Sequence, residues 1–461
     1  MPTDRSFEGE SPNPKKVAIN GQPARSNARA STSPFMPDAR SVALDILIEV
    51  IDRHKALDRA LESNREFARL DDRDRRFAHR LVMATIRRLG EIDSTIEALL
   101  MRPLPERARD VRMILRAGLT QILFLNTPAH ATVDTAVRLV RARRRENYAK
   151  LINATLRRAA REAAAERPAE PAVEINTPSW LWSRWVSVYG IEAAQKIVRA
   201  HLDDPPLDLS VKADPQRWAQ NLNAQLLPTG VLRRPSGGKI ADLLGYAEGA
   251  WWVQDFAASL PVRLLGVQAG QRVIDLCAAP GGKTAQLCMS GAKVTAVERS
   301  PERAQRLSEN LARLSFNAEI IVGDALTWKP EFPVEAVLLD APCTATGTLR
   351  RHPDVAWTKR PSDIASLSKV QAAMLNEAAK MVAPGGRLVY CACSLEPEEG
   401  QNQALAFLAS TTAFTNEPVE PDEVGGLGEA IDANGWLRTL PCHLGPLGGM
   451  DGFFAARFRR R

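Results

Sequence analysis

The chain has 461 residues, 45% of them hydrophobic and 25% charged, an ordinary balance for a globular protein and enough length for two or three domains. No apolar run approaches the ~18 residues of a membrane span, and Met1–Phe35 lacks the hydrophobic block of a signal peptide, so a cytoplasmic location is expected. A net charge of +7 permits a polyanionic partner without demanding one.

Residues 1–37 are rich in Ser, Pro, Asn and Lys/Arg without apolar periodicity; burial cannot offset their ordering entropy, and they read as a disordered basic tail. At Asp38 a helical pattern begins. Ala43, Ile46, Leu47 and Val50 fall at i, i+3, i+4 and i+7, and Val111, Ile114, Leu115, Gly118 and Ile122 repeat that spacing. Strand signals are scarce through Ala165, so residues 38–165 are predicted to form an all-helical domain. Between Asp38 and Glu162 there are 26 Lys plus Arg against 18 Asp plus Glu, and an anionic partner is expected to meet this segment first. Its arginines cluster in DDRDRRFAHR (Asp71–Arg80) and RLVRARRREN (Arg138–Asn147), runs that are more often solvated helix faces than binding sites. With NYAKLINATLRR (Asn147–Arg158), however, the pattern resembles the NusB-type RNA-binding helical fold, which implies RNA as a partner.

AAAERPAEPAVEINTPS (Ala163–Ser179) reads as a linker, and residues 166–254 as linker followed by a small mixed α/β subdomain that includes the aromatic-rich helix WLWSRWVSVYG. In residues 255–461 short β-branched runs (RVIDL, KVTAVE, EIIVGD, VEAVLLD, GRLVYCAC) alternate with helical sequence such as SPERAQRLSENLARL. That rhythm predicts a Rossmann-like α/β domain with a mostly parallel, doubly wound sheet.

Such sheets bind ligands at the carboxyl ends of their strands. The first strand runs into DLCAAPGGKTAQL, where Asp275 sits at the tip and Ala278, Ala279, Gly281 and Gly282 leave a loop nearly free of side chains before a helix starts at about Lys283. The glycines match neither G-x-G-x-x-G nor a P-loop, so a phosphate cradle is the weaker reading. The second strand ends at Glu298, suited to both hydroxyls of a ribose, and the third at Gly323-Asp324, suited to an adenine amino group. Loop and acids together suggest an adenosyl cofactor without pyrophosphate, and S-adenosylmethionine fits best.

Six scattered cysteines do not make a disulfide framework, and Cys391 and Cys393 form only C-x-C, so no metal site is expected. Cys277, Cys288 and Cys442 read as buried filler. Cys343, in LLDAPCTATG, and Cys393, in LVYCACSLEPEEG, both follow strands at the ligand-binding edge, which filler has no reason to choose. Most nucleophiles attack a sulfonium methyl group unaided. Carbon 5 of a pyrimidine does not, until a soft nucleophile such as a thiolate adds to carbon 6; a second cysteine, or a base near it, can then assist turnover.

DLCAAPGGKT, DAPCTATGTLRRHPD, LVYCACSLEPEEG and the closing GMDGFFAARF resemble, in order and spacing, the motifs of the bacterial ribosomal RNA cytosine-5 methyltransferases, the Sun/Fmu (RsmB) branch of the Nop2/Sun family, from about Asp38 to Phe458. The resemblance implies Cys393 as nucleophile and Cys343 as the cysteine that assists release. It further implies Cys277, Ala278, Ala279, Pro280, Gly281, Gly282, Lys283, Glu298, Asp324 and Asp340 as cofactor-binding positions, with Asp340 also suited to the polar edge of cytosine. It also implies that Arg350, Arg351 and His352 lie where an RNA strand would pass. Two departures stand out: Cys391-Ala392-Cys393-Ser394 replaces the usual Thr-Cys-Ser, bringing a second thiol to the same strand face, and Glu298 stands where Asp is common. The expectation is a monomeric enzyme that methylates cytosine in small-subunit ribosomal RNA. The rival readings are the same chemistry on tRNA or another RNA, a non-catalytic NusB-like RNA-binding factor, and an amino-group methyltransferase or oxidoreductase on a similar sheet.

Overall fold

Asp38 caps the first helix, Ala39–Leu47, by accepting from the Arg40 N–H, and the apolar stripe behind it is buried, with Ala43, Ile46, Leu47 and Val50 all 0% exposed. The helix Arg109–Leu123 buries Val111, Ile114 and Leu115 in the same core, while Ile122 packs at its margin. Helices Leu57–Ser63, Arg65–Arg69, Asp72–Arg87, Leu89–Leu99, Ala129–Ala142 and Ala149–Ala165 complete this region, and among the described residues no strand precedes Leu207. The computed structural model describes residues 38–165 and 173–461, so the tail expected at 1–37 and the middle of the expected linker lie outside the described residues.

Two helices, Ser179–Tyr189 and Ile191–His201, lead into a small antiparallel sheet of β1 (Leu207–Val211), β2 (Gln225–Leu226), β3 (Leu232–Arg234) and β4 (Trp251–Val253), in the order β2-β3-β1-β4. A buried ion pair joins Asp208 of β1 to Arg233 of β3 at 2.7 Å. Asp208 also accepts from the Phe256 N–H, which ties this sheet to the next helix, Phe256–Leu265.

The larger sheet contains β5 (Arg272–Leu276), β6 (Lys293–Glu298), β7 (Glu319–Val322), β8 (Val334–Asp340), β9 (Val382–Ala392), β10 (Phe414–Asn416), β11 (Leu437–Thr439) and β12 (Phe453–Arg460). Its order is β10-β12-β9-β8-β5-β6-β7, with β11 also paired to β12. β7, β6, β5, β8 and β9 are parallel, whereas β12 joins β9 antiparallel. Successive residues of the central strands enter different cores: Val273, Leu338 and Val389 pack on one face, and Ile274, Leu339 and Tyr390 on the other. Helices on both faces make such strands apolar throughout, which is why they read as continuous hydrophobic runs.

Because β6 and β7 extend the sheet on one side of β5 and β8 and β9 on the other, the topological switch point falls between β5 and β8, where a ligand crevice opens at the strand ends. The helical region is bonded to this edge. Leu57 N–H donates to Asp354 at 2.9 Å, Arg87 to the Arg350 carbonyl at 2.9 Å, and the Trp357 indole to the Ile86 carbonyl at 3.2 Å. No helix among the described residues is long and apolar enough to cross a membrane.

Candidate active site

β5 ends at Leu276, and Cys277 turns the chain in the left-handed region (φ 62°) ahead of the helix Gly282–Met289. Gly281 precedes that helix at φ 104°, and a Cβ there would come within 2.5 Å of the Leu307 side chain, so this turn requires glycine. Ala278, Ala279, Pro280, Gly281, Gly282 and Lys283 line a cleft of about 1020 Å³ together with Asp275, Asp340 and Cys393. The thiol of Cys277 lies outside that lining, and burial pushes it up to about 12.

Glu298 closes β6 and is 3% exposed. Its Oε1 accepts from the Ser300 N–H at 3.0 Å, while Oε2 has no hydrogen-bond partner and faces Arg303 at 3.4 Å. A buried carboxylate oxygen short of a donor costs stability until one arrives, and ribose hydroxyls are donors of that kind. Asp324 follows β7, accepts from the Leu326 N–H at 2.9 Å and lies 3.9 Å from Arg299. Both acids stand at or just past strand ends, and neither lines the cleft. Loop, open carboxylate oxygen and second acid therefore fit an adenosyl cofactor. Asp275 is fully buried; its Oδ2 accepts from the Thr284 hydroxyl at 2.6 Å, its Oδ1 is unpartnered, and burial lifts its pKa to about 7.

β8 and β9 are neighbours, with Asp340 opposite Cys391, so the segments that follow them meet. The sulfurs of Cys343 and Cys393 lie 3.4 Å apart. Cys393 lines the cleft. Cys391, two residues back on the same strand face, does not: it is buried behind Asp340 with its sulfur 3.6 Å from Oδ1, and burial pushes its thiol well up. The hydrogen bond with Cys393 raises the pKa of Cys343 well above the ordinary thiol range, and burial and the charges of Cys393 and Glu399 add to it. Lys283 donates to Asp340 at 2.8 Å and sits 4.9 Å over the Phe453 ring. Burial works against its charge, but Asp340 and the cysteines Cys391 and Cys393 leave its pKa raised. Gly347 brings three motifs together: its N–H donates to the Cys393 carbonyl at 3.0 Å, its carbonyl accepts from Gly452 at 2.8 Å, and a Cβ would lie 1.9 Å from the Gly452 oxygen. Among the described residues no group of His, Cys, Asp and Glu could hold a metal ion.

The three residues expected to face RNA separate. Arg350 is 1% exposed, its guanidinium 2.8 Å from Asp255 and bonded to the Gly448 carbonyl. It is a structural anchor, and the expectation that it contacts RNA is corrected: a charge held between buried acids cannot reach a phosphate. Arg351 and His352 do line the cleft, Arg351 while donating to Asp451 at 2.9 Å. Asp58, from the helical region, lines it as well. The two basic runs also differ. In Arg138–Asn147, Arg138, Arg141, Arg143 and Arg145 each pair with an acid of the helical region, the ordinary reading for such a run. In Asp71–Arg80, Arg75 is spent on the carbonyls of Ala68 and Leu70, but Arg73, Arg76 and Arg80 are exposed.

Several residues that shape the site were not singled out in the sequence. Glu399, in the quoted LEPEEG, reads as a turn acid yet is buried beneath both cysteine segments. Arg184 and Trp185, in the aromatic-rich helix, bond Glu396 at 2.6 and 3.1 Å and so brace the chain just past Cys393. The motif GMDGFF held a signal for Asp451, an acid between Met450 and Gly452 whose carboxylate accepts from Arg351.

Residues 262–459 match the family described as 16S rRNA methyltransferase RsmB/F, and residues 37–161 match the NusB family. The chain is 33% identical over 443 residues to a ribosomal RNA small subunit methyltransferase B of Klebsiella pneumoniae, covering 92% of this chain and 98% of that one. It is 34% identical over 409 residues to the protein of the same name from Vibrio cholerae, covering 84% and 93%. A crystal structure described as that of PH0851 superposes with a TM-score of 0.71 at 22% identity, over 92% of this chain and 99% of the other, and shares its fold. Identity at this level across nearly the whole length of both chains, on a sheet that carries the cofactor loop and paired cysteines, shows that the chain belongs to the 16S rRNA methyltransferase RsmB/F family.

Proposed function

We propose that this S-adenosylmethionine-dependent RNA methyltransferase modifies carbon 5 of a cytosine in small-subunit ribosomal RNA, with Cys393 as the nucleophile and Cys343 assisting release. The observation that carries the reading is the 3.4 Å between the two sulfurs, one of which lines the same cleft as the cofactor loop. The Cys277–Lys283 loop, Glu298 and Asp324 would hold S-adenosylmethionine, which supplies an electrophilic methyl group. Cys393, as thiolate, forms a bond to carbon 6, and the displaced electron pair makes carbon 5 nucleophilic enough to be methylated. Asp340, fixed by Lys283, is suited to hydrogen-bond the polar edge of the base. A base then removes the carbon 5 proton; that electron pair restores the ring double bond, and the bond to Cys393 breaks with its pair returning to sulfur.

A stacked cytosine cannot reach Cys393, so the base must leave its stack at a cost of a few kcal/mol. Arg351 and His352 in the cleft wall, and Arg73, Arg76 and Arg80 on the helix Asp72–Arg87, would contact the flanking backbone. Phosphate contacts of this kind position without specifying sequence and weaken with salt. In this reading the enzyme works as a cytoplasmic monomer.

The experiment is adduct trapping. Cys343→Ala is expected to accumulate a covalent protein–RNA complex that survives denaturing electrophoresis, and Cys393→Ala to form none. Bisulfite sequencing of ribosomal RNA with and without the enzyme locates the cytosine. An active Cys393→Ala enzyme refutes the reading.

A further inference from the structure

Glu399 is 0% exposed and does not line the cleft, yet its carboxylate accepts four hydrogen bonds. They come from the Thr344 N–H at 2.9 Å, the Thr344 hydroxyl, the Ser394 hydroxyl at 2.6 Å and the Gln371 amide at 3.1 Å. Thr344 adjoins Cys343 and Ser394 adjoins Cys393, so one side chain holds both cysteine segments. The same Gln371 amide also donates to the Pro342 carbonyl at 2.9 Å, which draws the helix Pro361–Met381 into the clamp. The backbone of Glu399 is fixed in turn by the Tyr390 hydroxyl at 2.6 Å. A buried carboxylate is often no more stabilising than well-packed apolar residues in its place, so fold stability alone gives a weak reason for it.

We propose that Glu399 is a positioning residue for the release step: it keeps the Cys343 sulfur against that of Cys393, so that the Cys343 S–H donates to the departing thiolate. The inference rests on the covalent reading above. In the step, the carbon 5 proton passes to a water molecule, its electron pair restores the ring double bond, and the carbon–sulfur pair stays on Cys393. Cys343 keeps its proton throughout and only shares it. The geometry agrees with this division: Lys283 and Arg351 line the cleft with Cys393, whereas Cys343, Tyr390 and Glu399 lie outside its lining. The raised pKa of Cys343, due first to its bond with Cys393 and then to burial, keeps it a thiol.

The test uses the full chain with S-adenosylmethionine and substrate RNA. Glu399→Gln keeps the size and removes the charge. Turnover is expected to fall about a hundredfold, the scale of a 1 Å misplacement, with the KM for S-adenosylmethionine unchanged. Covalent protein–RNA adduct should rise above the wild-type level, because addition proceeds and expulsion lags; a merely structural defect would lower adduct and turnover together. Diamide supplies a ruler: it takes the two thiol hydrogens, is itself reduced to the hydrazine, and leaves a Cys343–Cys393 disulfide that mass spectrometry counts. That disulfide should form more slowly in Glu399→Gln than in wild type. Thr344→Val removes one donor and keeps the carboxylate; it should show a weaker form of the same pattern and decides the matter if Glu399→Gln does not fold. In the folded variant, wild-type adduct or a wild-type rate of disulfide formation overturns the role of Glu399. An active Cys393→Ala enzyme is a separate failure, that of the covalent reading itself.

Discussion

The carboxylates at the ends of β5 and β6 differ from the Glu399 carboxylate beneath the two cysteine segments. At β5 and β6, acceptors stand open: Asp275 Oδ1 and Glu298 Oε2 are buried without a hydrogen-bond partner. At β8 and β9, the Glu399 carboxylate is saturated by four donors, and Gly347 is bonded to both Cys393 and Gly452. In the proposed reading, a cofactor that enters and leaves in every cycle would be met by acceptors that it satisfies itself. The cysteine pair proposed to react is instead flanked by bonds internal to the protein, where low dielectric strengthens each of them.

The sharpest way to break the comparison is at the cysteine end. Cys393→Ala should cost about 10⁴-fold or more in methylation rate, the scale of removing an enzymatic nucleophile, measured by methyl incorporation into RNA. Next in size is Arg350→Met, which should lower stability by about 3–5 kcal/mol in urea denaturation, because it leaves Asp255 buried without its cation. The folded fraction should keep its affinity for RNA, since this guanidinium never reaches solvent. At the cofactor end, Glu298→Ala should weaken S-adenosylmethionine binding by about 10- to 100-fold, the worth of hydrogen bonds to a charged group, read by calorimetry, while Cys393 and Cys343 still form their diamide disulfide.

Asp275 sharpens the contrast through pH. Burial lifts its pKa from 3.8 to about 7, so the folded state holds this proton more tightly than the unfolded chain. Its contribution to stability is present in full below about pH 4 and is lost as the pH rises through 7. Asp275→Asn should therefore flatten the decline of Tm across that window in cofactor-free protein. The smallest effect is expected for Cys391→Ala: adduct formation and methylation persist, with a stability loss of about 1 kcal/mol from the lost packing.

The doubly wound sheet was legible because its strands and helices differ in period, and β5 to β9 fall on the runs that the period marked. Cys393 was separable from Cys391 because one lies past the strand end and the other within it. Arg350 and Arg351 show where this kind of reading stops. They are adjacent in the chain and equally basic, yet one is enclosed by Asp255, 95 residues away, while the other reaches the cleft. Glu399 was opaque for a similar reason: its partner Thr344 lies 55 residues earlier, and a turn acid in LEPEEG looks like surface. Asp58 reaches the cleft because Leu57 is bonded to Asp354 across 297 residues.

Composition, period and motif order alone determined the class of fold and marked the glycine-rich loop and the two cysteines proposed to react, since each signal lies in residues close together in the chain. Only the packed chain decided which arginine is buried, which carboxylate clamps the cysteines and which helix walls the cleft. Those outcomes depend on desolvation and on hydrogen bonds between distant segments, and neither exists until the sheet and the helical region have come together.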